Sequence, residues 1–365
     1  MRRAGVDKTL VLLIAILVIG GGLIFASAAF GILARGGVSI ASVAFGHVVL
    51  GIGAGSFLLV CGALIDYRRW RPIAPYFFGL ALLATAAVFI PHLGASHGGG
   101  RRWLILAGMS FQPSELLKLA TIIMAAAYFA TIRERAASIL WGACGFLALL
   151  LLPGLILLLQ PDMGTLGVIC ASIAAIFFSA GARWRDIALI IIIALLALGA
   201  LAFERPYVRD RVMTFFYPSE GRLAEGYQIR QSLIAIGSGG LTGRGFGQSV
   251  QKFTYLPEPM GDSIFAVASE ELGFVGSVGI VGLFLFLALR GFVVAARTHD
   301  AFGGLLAVGI STYLVSEAFI NISSMLGLAP LTGIPLTFVS QGGSAMLVSL
   351  ASAGILLNVS RSRHR

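Results

Sequence analysis

Long unbroken apolar runs dominate this chain and set what it can become. They cover approximately residues 9–33, 41–65, 73–91, 114–132, 137–159, 163–181, 186–203, 263–289, 301–326 and 343–360. A helix needs about 20 apolar residues to cross ~30 Å of hydrocarbon. In lipid only helices and closed barrels satisfy every backbone N–H and C=O. Ten runs of this length predict ten transmembrane helices in an all-α polytopic membrane protein. Apolar sequence is almost continuous from 137 to 203, so span boundaries are least sharply marked there. Composition agrees, with 58% apolar and 12% charged residues, against about 45–50% and about 25% in soluble domains. A soluble fold, a disordered chain, a collagen-like repeat and a disulfide scaffold are all excluded on these figures. The first run contains Ala26-Ser27-Ala28, which imitates a signal-peptidase site. Its length exceeds the 7–15 residues of a signal h-region, which predicts an uncleaved anchor.

The basic residues between the runs orient them. Arg2, Arg3, Lys8, Arg68, Arg69, Arg71, Arg133, Arg135, Arg183, Arg185, Arg290, Arg297, Arg361, Arg363 and Arg365 fall on one side. The short connections of the other side hold Arg35, Arg101 and Arg102. The positive-inside rule makes the richer side cytoplasmic, with both termini there, as an even number of spans requires. The net charge of +10 is therefore a topology signal and not one for nucleic acid. Cys61, Cys144 and Cys170 lie inside apolar runs without metal-ligand spacing, and read as small buried hydrophobes. His47 and His97 have no partners at a spacing that would make a zinc site.

This orientation puts one long loop, 204–262, outside the cytoplasm. Long loops in compact folds are usually functional or disordered, and this one is not a disordered linker. Ile229, Leu233 and Ile236 recur at helical spacing, with Gln228, Arg230 and Gln231 between them. The pattern predicts a short helix that lies in the membrane interface or re-enters it. Gly237-Ser238-Gly239-Gly240 ends it, and 243–247 supplies a turn. The G-x-G-x-G run there is no dinucleotide fingerprint, because no strand–turn–helix unit surrounds it.

Ionisable residues within spans are costly and therefore functional candidates. Glu115 and Lys118 open the fourth span on one helical face, either as a mutual salt bridge or as the lining of a polar cavity. Asp262 stands at the mouth of the eighth span, as an N-cap, a functional carboxylate or both. Glu270 and Glu271 lie about 12 Å deeper, and Glu317 is isolated in the ninth span. At least one of these three is expected to be structural. Asp162, in Gln160-Pro161-Asp162, is another plausible cap. Arg205, Arg209 and Arg211 leave the seventh span together, suited to lipid headgroups or to a pyrophosphate through bidentate bonds.

Five blocks carry a family resemblance. They are Phe111-Gln112-Pro113-Ser114-Glu115-Leu116-Leu117-Lys118-Leu119-Ala120, Gln160-Pro161-Asp162-Met163-Gly164-Thr165, and Gln231-Ser232-Leu233-Ile234-Ala235-Ile236-Gly237-Ser238-Gly239-Gly240. The segment 255–262 with Glu270-Glu271-Leu272-Gly273 is the fourth, and 330–336 running to Ser340-Gln341-Gly342-Gly343-Ser344 is the fifth. In order and content they resemble the signature blocks of the SEDS family (FtsW/RodA/SpoVE). The chain is thus expected to be a single SEDS transmembrane domain over 1–365, more similar to the cell-division branch than to the elongation branch.

The resemblance implies a peptidoglycan glycosyltransferase that polymerises lipid II at the outer face of the cytoplasmic membrane, at the division septum. It implies a class B penicillin-binding protein as transpeptidase partner, alongside other division-complex membrane proteins. Asp262 matches the essential family aspartate. The family usually has His-Thr before that residue and Phe after it, where this chain has Met260-Gly261 and Ser263. The usual Tyr before the last Gly-Gly is Gln341. The blocks offer Gln231, Ser238, Lys252, Ser340, Gly342 and Gly343 as substrate-binding candidates. Arg102, Glu115, Lys118, Asp162, Arg209 and Arg211 join them.

The chemistry fits these residue types. A sugar hydroxyl is a poor nucleophile, and a carboxylate that takes its proton during attack typically gives about 10²–10⁴-fold; Asp262 is the candidate base. The departing pyrophosphate needs fixed positive charge, for which Arg102, Lys118, Arg209 and Arg211 are candidates. Mg²⁺ or another divalent cation could bridge its oxygens, although no carboxylate cage dedicated to a metal is evident. A transporter that flips the lipid-linked precursor suits ten spans equally well. No clear internal repeat is present, however, and the polar residues gather at the outer face, which favours an enzyme over a transporter. A purely structural scaffold would explain a partner but not the cost of those charges.

Overall fold

The computed structural model describes residues 5–34, 45–97, 100–106, 109–204, 206–216 and 224–362. Arg2, Arg3, Arg35, Arg205, Arg363, Arg365 and the side chain of His97 lie outside the described residues. All ten apolar runs coincide with helices. In chain order these are α1 (Lys8–Ala34), α2 (Gly55–Leu64, entered through the π-helical segment Phe45–Ala54) and α3 (Trp70–Ala86). There follow α4 (Pro113–Thr131), α5 (Cys144–Leu159, entered through a π-helical turn Ile139–Ala143), α6 (Met163–Ser179) and α7 (Trp184–Glu204). The long connection holds α8 (Pro206–Phe216), α9 (Ala224–Ser238) and the single turn α10 (Gln251–Thr254). The last three spans are α11 (Ile264–Ala296), α12 (Ala301–Met325) and α13 (Gly343–Val359). Among the described residues nine helical stretches are long and apolar enough to cross a membrane, and α6 is a shorter apolar helix of 17 residues.

Three helices form the interior. The most apolar windows of α4, α12 and α13 are 67%, 72% and 83% buried, whereas that of α7 is 6% buried. α12 packs against α11, α6, α4 and α13, and α13 lies along α2. Small residues permit that last approach: a Cβ at Gly354 would strike the Leu59 carbonyl, and one at Gly62 would sit 3.1 Å from the Ala351 oxygen.

Polar pairs fasten the two ends. Where the termini meet, Asp7 accepts from Leu10 N (3.1 Å), pairs with Arg290 (2.9 Å), and donates its own N–H to Ser360 Oγ (3.1 Å). The opposite end, roughly 40 Å away along α11, carries the long connection. There a three-stranded antiparallel sheet, β1 (Gly94–His97), β2 (Gly100–Leu106) and β3 (Met109–Phe111), leads into α4. Arg102 on β2 donates to the carbonyls of Gln160 and Pro161, joining the sheet to the α5–α6 turn.

The long connection folds back along α11. α9 buries Ile229, Ser232 and Ala235, while Leu233 and Ile234 are exposed. α11 breaks at Gly273 (φ 67°, ψ −166°), a region essentially reserved for glycine. The segment after α9 fills this break. Phe274 N donates to Gly240 O (2.9 Å), Val275 N to Leu241 O (3.1 Å), Arg244 N to Glu270 O and Gly245 N to Glu271 O (both 3.0 Å). Irregular backbone is tolerated in such a place because its polar groups are paired inside protein.

Several expectations are corrected. The eighth span, expected over 263–289, runs to Ala296, and its part beyond Gly273 alone is ~34 Å long. The sheet was not foreseen, because its strands are short and the sequence around them is rich in Gly. None of the cysteines is buried: Cys144 is exposed, and Cys61 and Cys170 are intermediate. In a membrane bundle the outward face is as apolar as the core, so an apolar run does not say which way a side chain points.

The glycine pair at the break yields a test. A Cβ at Gly273 would collide with Gly243 N, whereas one at Gly279 meets nothing within 4 Å. Gly273→Val should lower the melting temperature and expose 239–247 to proteolysis, with backbone strain alone costing about 1–3 kcal/mol. Gly279→Ala should leave both measurements unchanged.

Candidate active site

Asp262 precedes α11 by two residues and belongs to the tight turn 258–263. Gly261 N and Ser263 N both donate to Glu258 O (3.0 and 3.2 Å), and Glu258 takes a positive φ of 44° to allow it. Ser263, not Asp262, occupies the N-cap position, with no side-chain cap bond. The carboxylate of Asp262 is therefore not used to cap the helix. Its backbone is held from below: Asn321 Nδ2 of α12 donates to Asp262 O and to Ile334 O (2.8 Å each). Ser340 Oγ donates to Gly261 O (2.8 Å), and Gln341 N donates to Met260 O (2.7 Å). Gly333, at φ 69°, flanks the carboxylate; a Cβ there would lie 3.7 Å from Asp262 Oδ2. Three of the departures from the family pattern, Met260, Gly261 and Ser263, thus sit in a turn fixed mainly through main-chain atoms, to which the fourth, Gln341, donates its own N–H, while Ser263 Oγ accepts from Gln228 Nε2 of α9 (3.0 Å).

The electrostatics at Asp262 are unbalanced. Burial pushes its pKa from an ordinary 3.8 up to about 6, and the nearby Glu258 carboxylate adds to the rise. A backbone hydrogen bond, the Arg211 guanidinium and the Gln228 amide pull the other way without cancelling it. A carboxylate tuned toward neutrality is suited to accept a proton. Among the described residues no group of three His, Cys, Asp or Glu side chains is placed to hold a metal ion.

Asp162 and its neighbours form a second polar cluster. Asp162 caps α6, accepting from Thr165 N (3.2 Å) and Thr165 Oγ1 (2.9 Å), with Gln112 and Ser114 at 3.4 Å. It approaches the Asp262 side through packing: a Cβ at Gly164 would lie 2.6 Å from the Ile334 side chain and 2.9 Å from that of Thr332. Beneath it is a buried ion triad. Lys118 Nζ lies 2.9 Å from Glu115 and 2.7 Å from Glu317, and stands 5.1 Å from the Tyr313 ring centroid. All three charged side chains are no more than 2% exposed. Glu317, isolated in the sequence, is thus the second partner of Lys118.

A third cluster holds the long connection. Lys252 Nζ contacts Glu271 (2.6 Å), Ser27 Oγ (2.7 Å) and Gly247 O (2.9 Å). Glu270 accepts from Ser249 Oγ (2.6 Å), Val250 N (3.1 Å) and Gln251 N (3.3 Å), with Arg244 at 3.4 Å. Both glutamates are structural here, bracing the loop against α1 and α11.

Of the sequence candidates, Arg211 and Ser340 join Asp262 directly or through its turn. Arg209 is exposed on α8, and Ser238 donates to Ala235 O (2.9 Å). Gln231 is half-buried on α9, away from the stripe that faces the bundle. Gly342 precedes α13, and a Cβ at Gly343 would sit 3.0 Å from Gly46 O, a packing constraint. Arg102, Glu115, Lys118, Asp162 and Lys252 occupy the frameworks just described. Sequence reasoning missed Gln228, Glu258, Asn321 and Gly333. A lone Asn inside an apolar span and a Glu between two prolines were the available signals.

The chain matches the FtsW/RodA/SpoVE family, described as cell cycle proteins, over residues 8–365. It is 39% identical to the stage V sporulation protein E of Bacillus subtilis over 297 residues, 81% of each chain. It is 38% identical to a probable peptidoglycan glycosyltransferase FtsW of Geobacter metallireducens, over 86% of this chain and 83% of that one. Its fold is similar to a chain from a peptidoglycan synthase complex that coordinates polymerization and crosslinking (TM-score 0.77, 28% identity, 99% of both chains). It is also similar to the rod shape determining protein RodA of Thermus thermophilus (TM-score 0.72, 28% identity, 99% of this chain and 98% of that one).

Two outcomes test this geometry. Glu258→Gln should move the Asp262 titration, followed by isotope-edited infrared spectroscopy, below pH 6, and Arg211→Gln should move it above. Lys118→Met leaves two buried carboxylates without their cation and should destabilise the detergent-solubilised protein by about 3–5 kcal/mol. Adding Glu115→Gln and Glu317→Gln to that variant should recover most of the loss.

Proposed function

The chain belongs to the FtsW/RodA/SpoVE family of cell cycle proteins, and on that premise we propose that it is a peptidoglycan glycosyltransferase with Asp262 as general base. The observation that carries the proposal is the Asp262 carboxylate itself: unused as a helix cap, fixed through its backbone, and raised to about 6 by burial and Glu258. At pH 7 such a group is still ionised by about ten to one and more basic than a free aspartate. The names of its relatives support the reaction class.

In the proposed step, the acceptor hydroxyl of one lipid-linked saccharide gives its proton to Asp262 as its oxygen attacks the anomeric carbon of another. The bond from that carbon to the polyprenyl pyrophosphate breaks, and the pyrophosphate departs with the electron pair. Arg211 acts on the same carboxylate and offers positive charge to the leaving group, with Arg209 exposed on the same helix. The substrate class is lipid II. The arginine distribution supports cytoplasmic termini and an extracytoplasmic Asp262, where a lipid-tethered sugar would present itself. The similarity to a chain of a synthase complex that couples polymerization to crosslinking supports a class B penicillin-binding protein as partner. Similarity to FtsW relatives supports a place at the division septum.

The test is polymerisation of purified lipid II by the reconstituted protein with its transpeptidase, wild type against Asp262→Asn. The variant should lose at least about 10²-fold in rate. The wild-type rate should fall as pH drops through about 6, as Asp262 takes up a proton. The same shift sets a stability sign. The folded chain holds a proton that the unfolded chain releases between about pH 4 and 6, so the contribution of Asp262 to stability declines as pH rises through that window. Above pH 6, Asp262→Asn should therefore melt no earlier than wild type. A folded variant that polymerises at the wild-type rate overturns the base assignment. A wild type that only moves lipid II across vesicles favours a transporter.

A further inference from the structure

The end of the bundle where the termini meet holds a cleft that the reaction at Asp262 does not use. It has a volume of about 640 Å³, within the ~300–1,000 Å³ of ordinary ligand sites. α6 and α11 both pack along α12, and the cleft is the space between them. Phe178, Phe292, Leu305 and Val308 form its apolar wall, and Arg133 and His299 stand among its polar lining. Phe178 and Phe292 are 46% and 41% exposed, so the wall opens sideways. α7, the next helix in the chain, buries no residue and contributes none to the lining, its Trp184 ring standing 5.0 Å from that of Phe178.

We propose that this cleft is a binding site for one anionic glycerophospholipid, its acyl chain against the apolar wall and its phosphate on Arg133. The apolar wall calls for a hydrocarbon occupant, and the charge calls for an anion. Arg133 forms no ion pair with a carboxylate among the described residues. The one acidic lining residue, Asp300, is already committed: it caps α12 through Gly303 N (3.0 Å), accepts from Tyr67, and lies 3.6 Å from Arg68. A guanidinium fork matches phosphate oxygens in pairs. Basic pockets between helices at the cytoplasmic side are suited to anionic headgroups. The site is independent of the reaction proposed above.

The test uses the full chain in nanodiscs of phosphatidylcholine with and without 20% phosphatidylglycerol, followed by detergent extraction and native mass spectrometry. Wild type should retain one phosphatidylglycerol and melt several degrees higher in the mixed discs. Arg133→Ala should cut retention about five-fold. Ser179→Trp, at an exposed helix end in the lining, should fill the cleft and abolish retention. Arg185→Ala, outside the lining, should change nothing. Equal retention in wild type, Arg133→Ala and Ser179→Trp overturns the site. So does equal retention of phosphatidylcholine, or the same stabilisation by inorganic phosphate without lipid. Displacement of phosphatidylglycerol by a polyprenyl phosphate at equal concentration overturns the choice of occupant.

Discussion

Charge taken into a low-dielectric bundle must be paired, and at the loop end that requirement decides where the helices go. Breaking a buried pair costs several kcal/mol because the remaining charge has no water to turn to. Lys118 draws Glu115 of its own helix and Glu317 of α12 to within 3 Å, which sets the register of two central helices. Lys252 does the same between α1 and α11 through Ser27 and Glu271. Each cluster joins segments far apart in sequence, and the Lys252 cluster ties residues 247–252 of the long connection to α1 and α11.

Against this background Asp262 is the exception. Its surroundings oppose its charge more than they support it: burial and Glu258 work against it, and Arg211 and the Gln228 amide only partly offset them. Asn321 and Ser340 hold the main chain of the turn, while a backbone hydrogen bond and the Gln228 amide reach the carboxylate without cancelling the effect of its burial. Functional sites are where local stability rules are broken and the rest of the fold compensates. The proposed role of Asp262 rests on that pattern: a turn held through its main chain beneath a carboxylate that burial disfavours.

The break in α11 connects these two themes. Gly273 lets the helix open, and the backbone of 240–245 fills the gap with four hydrogen bonds. The short helical segment before the break carries Glu270 and Glu271 toward the loop and begins beside Asp262. The loop that bears α9, and with it Gln228, is thereby anchored to the same segment that bears the carboxylate. Movement of the loop relative to Asp262 would have to break both the Lys252 cluster and this backbone pairing.

Ten helices were legible from the sequence because hydrocarbon thickness converts directly into run length, and that conversion needs no knowledge of neighbours. The helix over 229–236 was legible by its period, and Asp162 as a cap by its place before an apolar run. What the sequence could not reveal is facing. In a membrane the lipid side and the core side are equally apolar, so cysteines inside apolar runs read as buried although none of the three is. Nor could it reveal that Glu317 belongs to Lys118, 199 residues away, or that Asp262 is spared from capping. Those depend on which helices touch, and only the packed structure, by requiring each inward charge to find its partner, decides that.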